Sequence, residues 1–147
     1  MKTKLHAAAG SIGFLMILAF WTSTVATELF AGHETVAGVK ALILRGMYIL
    51  IPAMIIAGAS GMSLGRRRKD RLTRAKKTRM PVIALNGLIV LLPSAWFLAG
   101  KAAAGAFDGA FYTVQVVELI AGGANLIMMG LNIRDGLRMT GRLRRAG

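Results

Sequence analysis

Long apolar runs alternate with short polar or basic segments along this chain of 147 residues. Four of the runs come close to the roughly 20 residues that a helix needs to cross about 30 Å of hydrocarbon. Since a bilayer offers no water to bond the backbone, each run is expected to be helical. The pattern predicts an all-α integral membrane protein with a single transmembrane domain over 1–147. Its predicted spans are 6–28, 36–64, 80–101 and 110–134.

The positive charge is concentrated in three short segments. The net charge is +13, and 16 of the 19 basic residues lie before position 5, between 66 and 79, or after 133. If the four runs span, all three segments fall on one side of the membrane. That is the positive-inside pattern, and it predicts an up-down-up-down bundle with both termini and the basic loop 65–79 in the cytoplasm.

The basic loop is expected to fix this topology and to lie against anionic lipid headgroups, at about 1 kcal/mol for each basic residue. Nucleic-acid binding is disfavoured, because the loop has no aromatic side chain on which a base would stack. An acidic protein partner stays open. The basic residues concerned are Arg66, Arg67, Arg68, Lys69, Arg71, Arg74, Lys76, Lys77 and Arg79.

The first apolar run also has features of a secretory signal, with a weak cleavage context at Ala26. We expect it to be kept as a span, because it is uncharged from Ala7 to Thr27. The chain has no cysteine, which excludes disulfides and thiolate metal sites.

Small residues recur at every fourth position in the second run, which places them on one face of a helix. Such a face lets another backbone approach closely and is typical of contacts between membrane helices. The partner is a helix of the same chain, another copy or a larger membrane complex. The residues predicted to pack in this way are Ala53, Ala57, Gly61, Gly65 and, in the fourth run, Gly122.

Charged residues inside the apolar runs are the most informative, since a charge at the bilayer centre costs at least about 2.5–3.5 kcal/mol unless it is paired or reaches water. Counting from the basic side places Glu118 about 24 Å deep and Arg45 about 32 Å deep. A long arginine side chain can close that gap. We predict a buried Arg45–Glu118 ion pair, with Glu28 as the competing partner. Alternatively, Arg45 reaches the lipid headgroups and Glu118 is protonated or solvated.

Polar residues of the fourth run recur at spacings of three and seven, which keeps Gln115, Glu118, Asn125 and Asn132 on one helical face. We expect this face to point into the bundle. Asn86 of the third run is expected to bond toward it.

Both tryptophans and both tyrosines lie at depths far from the basic side, which is typical of an interfacial aromatic belt. Alternatively, the rings and nearby polar residues line a pocket for a quinone-like or lipid ligand. The residues of this candidate pocket are Trp21, Thr24, His33, Tyr48, Trp96, Tyr112 and Gln115.

No cofactor or metal site is predicted. A haem b would need axial ligands, and the two histidines, His6 and His33, are expected on opposite sides of the membrane. Glu28, His33 and Glu34 are more typical of a solvated connection than of a metal site. No nucleophile with an adjacent base and no phosphate-binding loop occurs, so the chain is not expected to be an enzyme.

Together these features predict a small non-catalytic inner-membrane protein of the bacterial type, an accessory, assembly or structural subunit that associates with itself or with a larger complex. Two alternatives stay open. One is an electron-transfer protein, or one that interacts with quinone or haem, using the aromatic pocket. The other is a small proton-coupled transporter in which Glu118 is the switching carboxylate.

Overall fold

The computed structural model describes residues 1–66 and 70–141, and within these residues it contains helices and no strands. A π-helical segment over Asn86–Leu91 joins the third and fourth α-helices into one continuous rod, Arg71–Ala103, called the third rod below. The α-helices are α1 (Lys2–Phe30), α2 (His33–Gly65), α3 (Arg71–Leu85), α4 (Leu92–Ala103) and α5 (Gly109–Met139).

Four of these units, namely α1, α2, the third rod and α5, are long and apolar enough to cross a membrane. Large apolar side chains cover their outer surface, as lipid contact requires. Examples with more than half of the side chain exposed are Leu15, Ile55, Ile89 and Ile120. The chain is therefore described as a multi-pass membrane protein.

α1 and α2 form an antiparallel hairpin joined at 31–32. His6, near the start of α1, hydrogen-bonds through Nδ1 to the carbonyl of Ala57 at 3.0 Å. Halfway along the hairpin, the Phe20 ring lies directly against the backbone of Gly46. Because glycine has no Cβ, the two helices come close at this point.

The third rod and α5 are antiparallel as well, since Arg79 contacts Asp135 and Asn86 contacts Asn125. Neighbours follow the order α1, α2, third rod, α5 and back to α1, so that α2 and α5 lie diagonally across the bundle. The predicted four-helix bundle is present. We call the end with the start of α1 and the end of α5 the basic end, and the end with the connections 31–32 and 104–108 the opposite end.

Two apolar clusters fill the interior. One lies in the middle of the bundle and the other near the opposite end, below the connection that leads into α5. The buried members of the first are Ile17, Leu50, Ile83 and Met129, and those of the second are Val36, Leu98, Ala102 and Phe111.

Most of the basic segment is helical, so the predicted loop over 65–79 is wrong from Arg71 onward. Asp70 caps α3, accepting hydrogen bonds from the Thr73 backbone N–H at 3.0 Å and from its hydroxyl at 2.8 Å. A capping aspartate followed by arginines and lysines, which are good helix formers, starts the helix before the apolar run begins. Three residues of the predicted loop lie outside the described part of the chain: Arg67, Arg68 and Lys69.

The π-helical segment ends at Leu91, two residues before Pro93. The Leu92 N–H bonds to the Gly87 carbonyl, five residues earlier. Proline has no N–H to donate and its ring crowds the carbonyl four residues back, and a wider turn relieves that crowding. The third rod therefore continues through its proline as one helical unit.

Candidate functional site

A buried ion pair joins the two helices that lie diagonally. Lys40 of α2 is 2% exposed. Its ammonium Nζ donates a hydrogen bond to Glu118 Oε2 of α5 at 2.7 Å. Lys40 is seven residues from the start of α2, which places it about 10 Å inside the opposite end. The pair thus crosses the interior of the bundle well below the end of the helices.

Gln115 and Glu28 complete a group that we call the Lys40 cluster: Glu28, Lys40, Gln115 and Glu118. Gln115 is 3% exposed and donates from Nε2 to Glu118 Oε2 at 3.0 Å. Glu28, near the end of α1, lies close enough to Lys40, Glu118 and His33 to interact electrostatically with each. Two carboxyl groups therefore lie near one buried ammonium group, which bonds to Glu118.

Two buried oxygens of the Lys40 cluster accept no hydrogen bond, Glu28 Oε1 and Gln115 Oε1. A buried acceptor without a donor costs about 1–3 kcal/mol. One additional donor, such as a proton held by a carboxyl group, would lower that cost. The Lys40 cluster can therefore accept a further hydrogen bond at one of these two oxygens.

The predicted Arg45–Glu118 pair is wrong, because Glu118 pairs with Lys40. Arg45 is exposed, and no acidic residue of the described chain pairs with it. Arg45 follows Lys40 by five residues, which turns its side chain about 140° around the helix axis. The prediction used depth in the membrane, and depth does not fix the direction in which a side chain points.

A second buried ion pair lies at the basic end. Asp135 of α5 is 2% exposed, and its Oδ2 accepts a hydrogen bond from Arg79 Nη1 of α3 at 2.7 Å. The guanidinium of Arg134 is 3.5 Å from the other oxygen, Oδ1, which has no hydrogen bond. Arg79 was predicted to face lipid headgroups, and Asp135 was missed. The sequence contains one feature that could have pointed to Asp135: it is the one acidic residue after Glu118.

The polar face of α5 points into the bundle as predicted. Gln115, Asn125 and Asn132 are 3%, 1% and 8% exposed. Asn86 Nδ2 donates to Asn125 Oδ1 at 2.9 Å and to the Ala121 carbonyl at 2.8 Å. These bonds tie the π-helical segment to the middle of α5, between the two buried ion pairs.

No protein-family model, curated protein or solved structure matches this chain. Its function is therefore inferred from its own residues.

The predicted aromatic pocket is not a single site, because its members point in different directions. Trp21, Thr24 and Gln115 turn inward, and the Trp21 indole N–H donates to the Leu119 carbonyl at 2.9 Å. A Cβ on Gly122 would lie 3.1 Å from the Trp21 ring, so the ring rests on this glycine. Gly122 is thus a packing position, as predicted.

The other rings of the predicted pocket turn outward. Tyr48, Trp96 and Tyr112 are 83%, 74% and 44% exposed. His33 is exposed and stacks on Phe107 at 4.0 Å between ring centroids. Outward rings at one end of the bundle fit an interfacial aromatic belt better than a ligand pocket.

The small-residue stripe of α2 packs within the chain. Ala53 and Ala57 are buried. A Cβ on Gly61 would lie 2.9 Å from the His6 ring, and one on Gly65 would meet side chains of α3. The stripe therefore lets α1 and α3 approach α2.

The two histidines lie at opposite ends, as His6 bonds to Ala57 near the end of α2 and His33 begins that helix. They do not come together on one metal ion within this chain. Among the described residues, no group of three or more histidine or acidic side chains is placed to hold a metal ion.

Proposed function

We propose that this chain is a small proton-coupled membrane transporter whose proton-binding site is the Lys40 cluster. The observation that carries the proposal is that Lys40 and Glu118 form an ion pair in the bundle interior, with a second carboxyl group, Glu28 of α1, nearby. Ionisable residues inside a membrane bundle are costly to keep, and they commonly mark ion or proton pathways.

The charge balance of the cluster favours one bound proton. With both carboxyl groups ionised and Lys40 charged, the cluster has a net negative charge in a medium of low dielectric constant. One proton makes it neutral. Glu118 is already held by Lys40 and Gln115, whereas Glu28 has an oxygen without a partner. We therefore assign the proton to Glu28, whereas the sequence had led us to predict Glu118 as the switching carboxylate.

Loss of that proton would change which helices are held together. An ionised Glu28 competes with Glu118 for the Lys40 ammonium. Because Glu28 is on α1, Glu118 on α5 and Lys40 on α2, the ion pair would hold α2 either to α1 or to α5. His33, exposed at the start of α2, is near enough to Glu28 to interact with it electrostatically. Such a competition is a two-state element that proton binding would bias, which is what coupling requires.

The proposed location is the inner membrane, with the basic end in the cytoplasm. The start of α1, the end of α2, the start of α3 and the end of α5 all lie at that end, and they bring the basic residues together. By the positive-inside rule, both ends of the chain are then cytoplasmic. Headgroup contact by the basic residues of α3 belongs to the same proposal.

The other predicted functions have less support. Association as an accessory or structural subunit was inferred from the small-residue stripe, which packs inside the chain. A quinone or haem site was inferred from aromatic residues, of which Tyr48 and Trp96 face outward. Both stay untested predictions.

The experiment is proton flux into liposomes that contain the purified protein and a pH-sensitive dye, driven by an imposed potassium diffusion potential. Wild type should acidify the interior faster than vesicles without protein, and Glu28→Gln should remove the difference. Glu34→Gln, at an exposed glutamate in the first turn of α2, is the matched control and should behave as wild type. Faster acidification by wild type that Glu28→Gln leaves unchanged would contradict the assignment of the proton site to Glu28.

A further inference from the structure

An open apolar groove runs along the surface between the third rod and α5. Its volume is about 460 Å³, and nearly all of its lining is apolar. Val82, Asn86 and Val90 form the wall on the third rod, and Val117, Ala124 and Met128 form the wall on α5. The Asn86 amide bonds to α5, so the floor of the groove is closed by that contact.

The α5 wall of the groove leads to exposed arginines at the basic end. Arg138 and Arg134 lie 14 and 10 residues beyond Ala124, which places them about 40° and 80° around the helix axis from it, close enough for a long side chain to reach the groove. Both arginines are exposed. Arg134 is six residues beyond the last groove residue of α5, or about 9 Å along the helix, within reach of an arginine side chain.

These arginines are available for an anion. The acids described at this end, Asp70 and Asp135, are engaged in a helix cap and in a buried ion pair. Within the described residues, Arg138 has no acidic partner, and the contact of Arg134 with Asp135 is long, at 3.5 Å. Guanidinium groups bind phosphate through paired hydrogen bonds.

We propose that the groove and these arginines bind one anionic phospholipid, with an acyl chain along the groove and the headgroup phosphate at Arg134 and Arg138. An apolar groove that ends at cationic side chains matches both parts of such a lipid. Basic sites between membrane helices on the cytoplasmic side are known to bind anionic headgroups. A free phosphate ion would use the arginines and leave the groove without an occupant, so the lipid is the ligand that uses both.

The test is lipid binding to the full chain in detergent, measured by native mass spectrometry with phosphatidylglycerol and, separately, phosphatidylcholine. We expect one phosphatidylglycerol to bind in preference to phosphatidylcholine, and inorganic phosphate to leave this binding unchanged. The double variant Arg134→Gln/Arg138→Gln should weaken phosphatidylglycerol binding by about 30-fold. Ala124→Trp keeps the charge and fills the groove, and it should also weaken binding.

The matched control is Lys2→Gln/Lys4→Gln, which removes the same charge at the same end, on α1 and away from the groove. It should bind phosphatidylglycerol as wild type does. All of these positions are exposed, and unfolding temperatures in phosphatidylcholine check that each variant is folded. Equal binding of the two lipids, competition by inorganic phosphate, or an equal loss in the control and arginine variants would overturn the proposal. Wild-type affinity in Ala124→Trp would overturn the assignment of the groove.

Discussion

Lys40 Nζ and Glu118 Oε2 lie 2.7 Å apart on α2 and α5, two helices that are not neighbours in the bundle. Each charge would be costly alone in an apolar interior, and each is stabilised by the other. The contact therefore fixes how far α2 and α5 slide relative to each other. It also places a polar link across the interior of the bundle, and Gln115 bonds to the same carboxylate.

Removal of one partner of this pair should destabilise the protein more than removal of both. Lys40→Met leaves the Glu118 carboxylate without its cation, and we expect a loss of about 3–5 kcal/mol in the free energy of unfolding. The double variant Lys40→Met/Glu118→Met should recover most of it, because two apolar side chains replace the pair. The measurement is reversible unfolding in mixed micelles. A double variant less stable than Lys40→Met would contradict this account of the pair.

Two glycines of α2 should respond to alanine in opposite directions. A Cβ on Gly46 would lie 2.4 Å from Cζ of Phe20, so the ring must move, at a cost of about 1–3 kcal/mol. Gly58 has no such neighbour within 4 Å, and Gly58→Ala should stabilise the helix by about 0.5–1 kcal/mol. Unfolding of the two variants under the same conditions checks this. Similar destabilisation by both would show that Gly46 is not a close-approach site.

The connection into α5 should show a perturbed acid. A hydrogen bond from the Lys101 ammonium, and a second from the Phe111 backbone N–H at 3.0 Å, lower the pKa of Asp108 below its ordinary value. Protonation of Asp108 removes the negative charge that strengthens both bonds, and therefore weakens them. Their contribution to stability is therefore full above the unfolded pKa of about 3.9 and is lost as the pH falls through the lower folded pKa.

The substitution Lys101→Gln tests this cause. It should raise the pKa of Asp108 back toward the ordinary value, while the bond from Phe111 keeps part of the shift. The measurement is a carboxyl NMR titration of the labelled protein in micelles. An Asp108 pKa that is the same in wild type and Lys101→Gln would rule out the lysine as its main cause.

The four rods could be predicted from the sequence, because the bilayer requires long apolar helices and the chain has four runs of that kind. The ends of the rods could not be predicted in the same way. Residues 71–79 are polar and lie outside any apolar run, yet the Asp70 cap and good helix formers make them helical. The length of an apolar run therefore predicts the membrane-spanning part of a helix, and capping residues predict where the helix begins or ends.

The partner of Glu118 could have been found from helical phase. The buried residues of α2 include Val36, Lys40, Ile43 and Ala53, and each follows the last at a spacing that keeps one face of a helix. Lys40 lies on the same side of the helix as the buried residues Val36, Ile43 and Leu50, and Arg45 lies on the opposite side, whereas the small-residue stripe extended backward in steps of four reaches Arg45. The position of Glu28 beside this pair depends on how α1 packs on the bundle, which one sequence does not define.

Infrared spectroscopy of the reconstituted protein shows whether Glu28 of the Lys40 cluster holds an exchangeable proton. Wild type should have the C=O band of an un-ionised carboxyl group near neutral pH. Glu34→Gln should keep this band, and Glu28→Gln should lose it. A wild-type spectrum without the band, or a band that Glu28→Gln leaves unchanged, would contradict the assignment of the proton to Glu28.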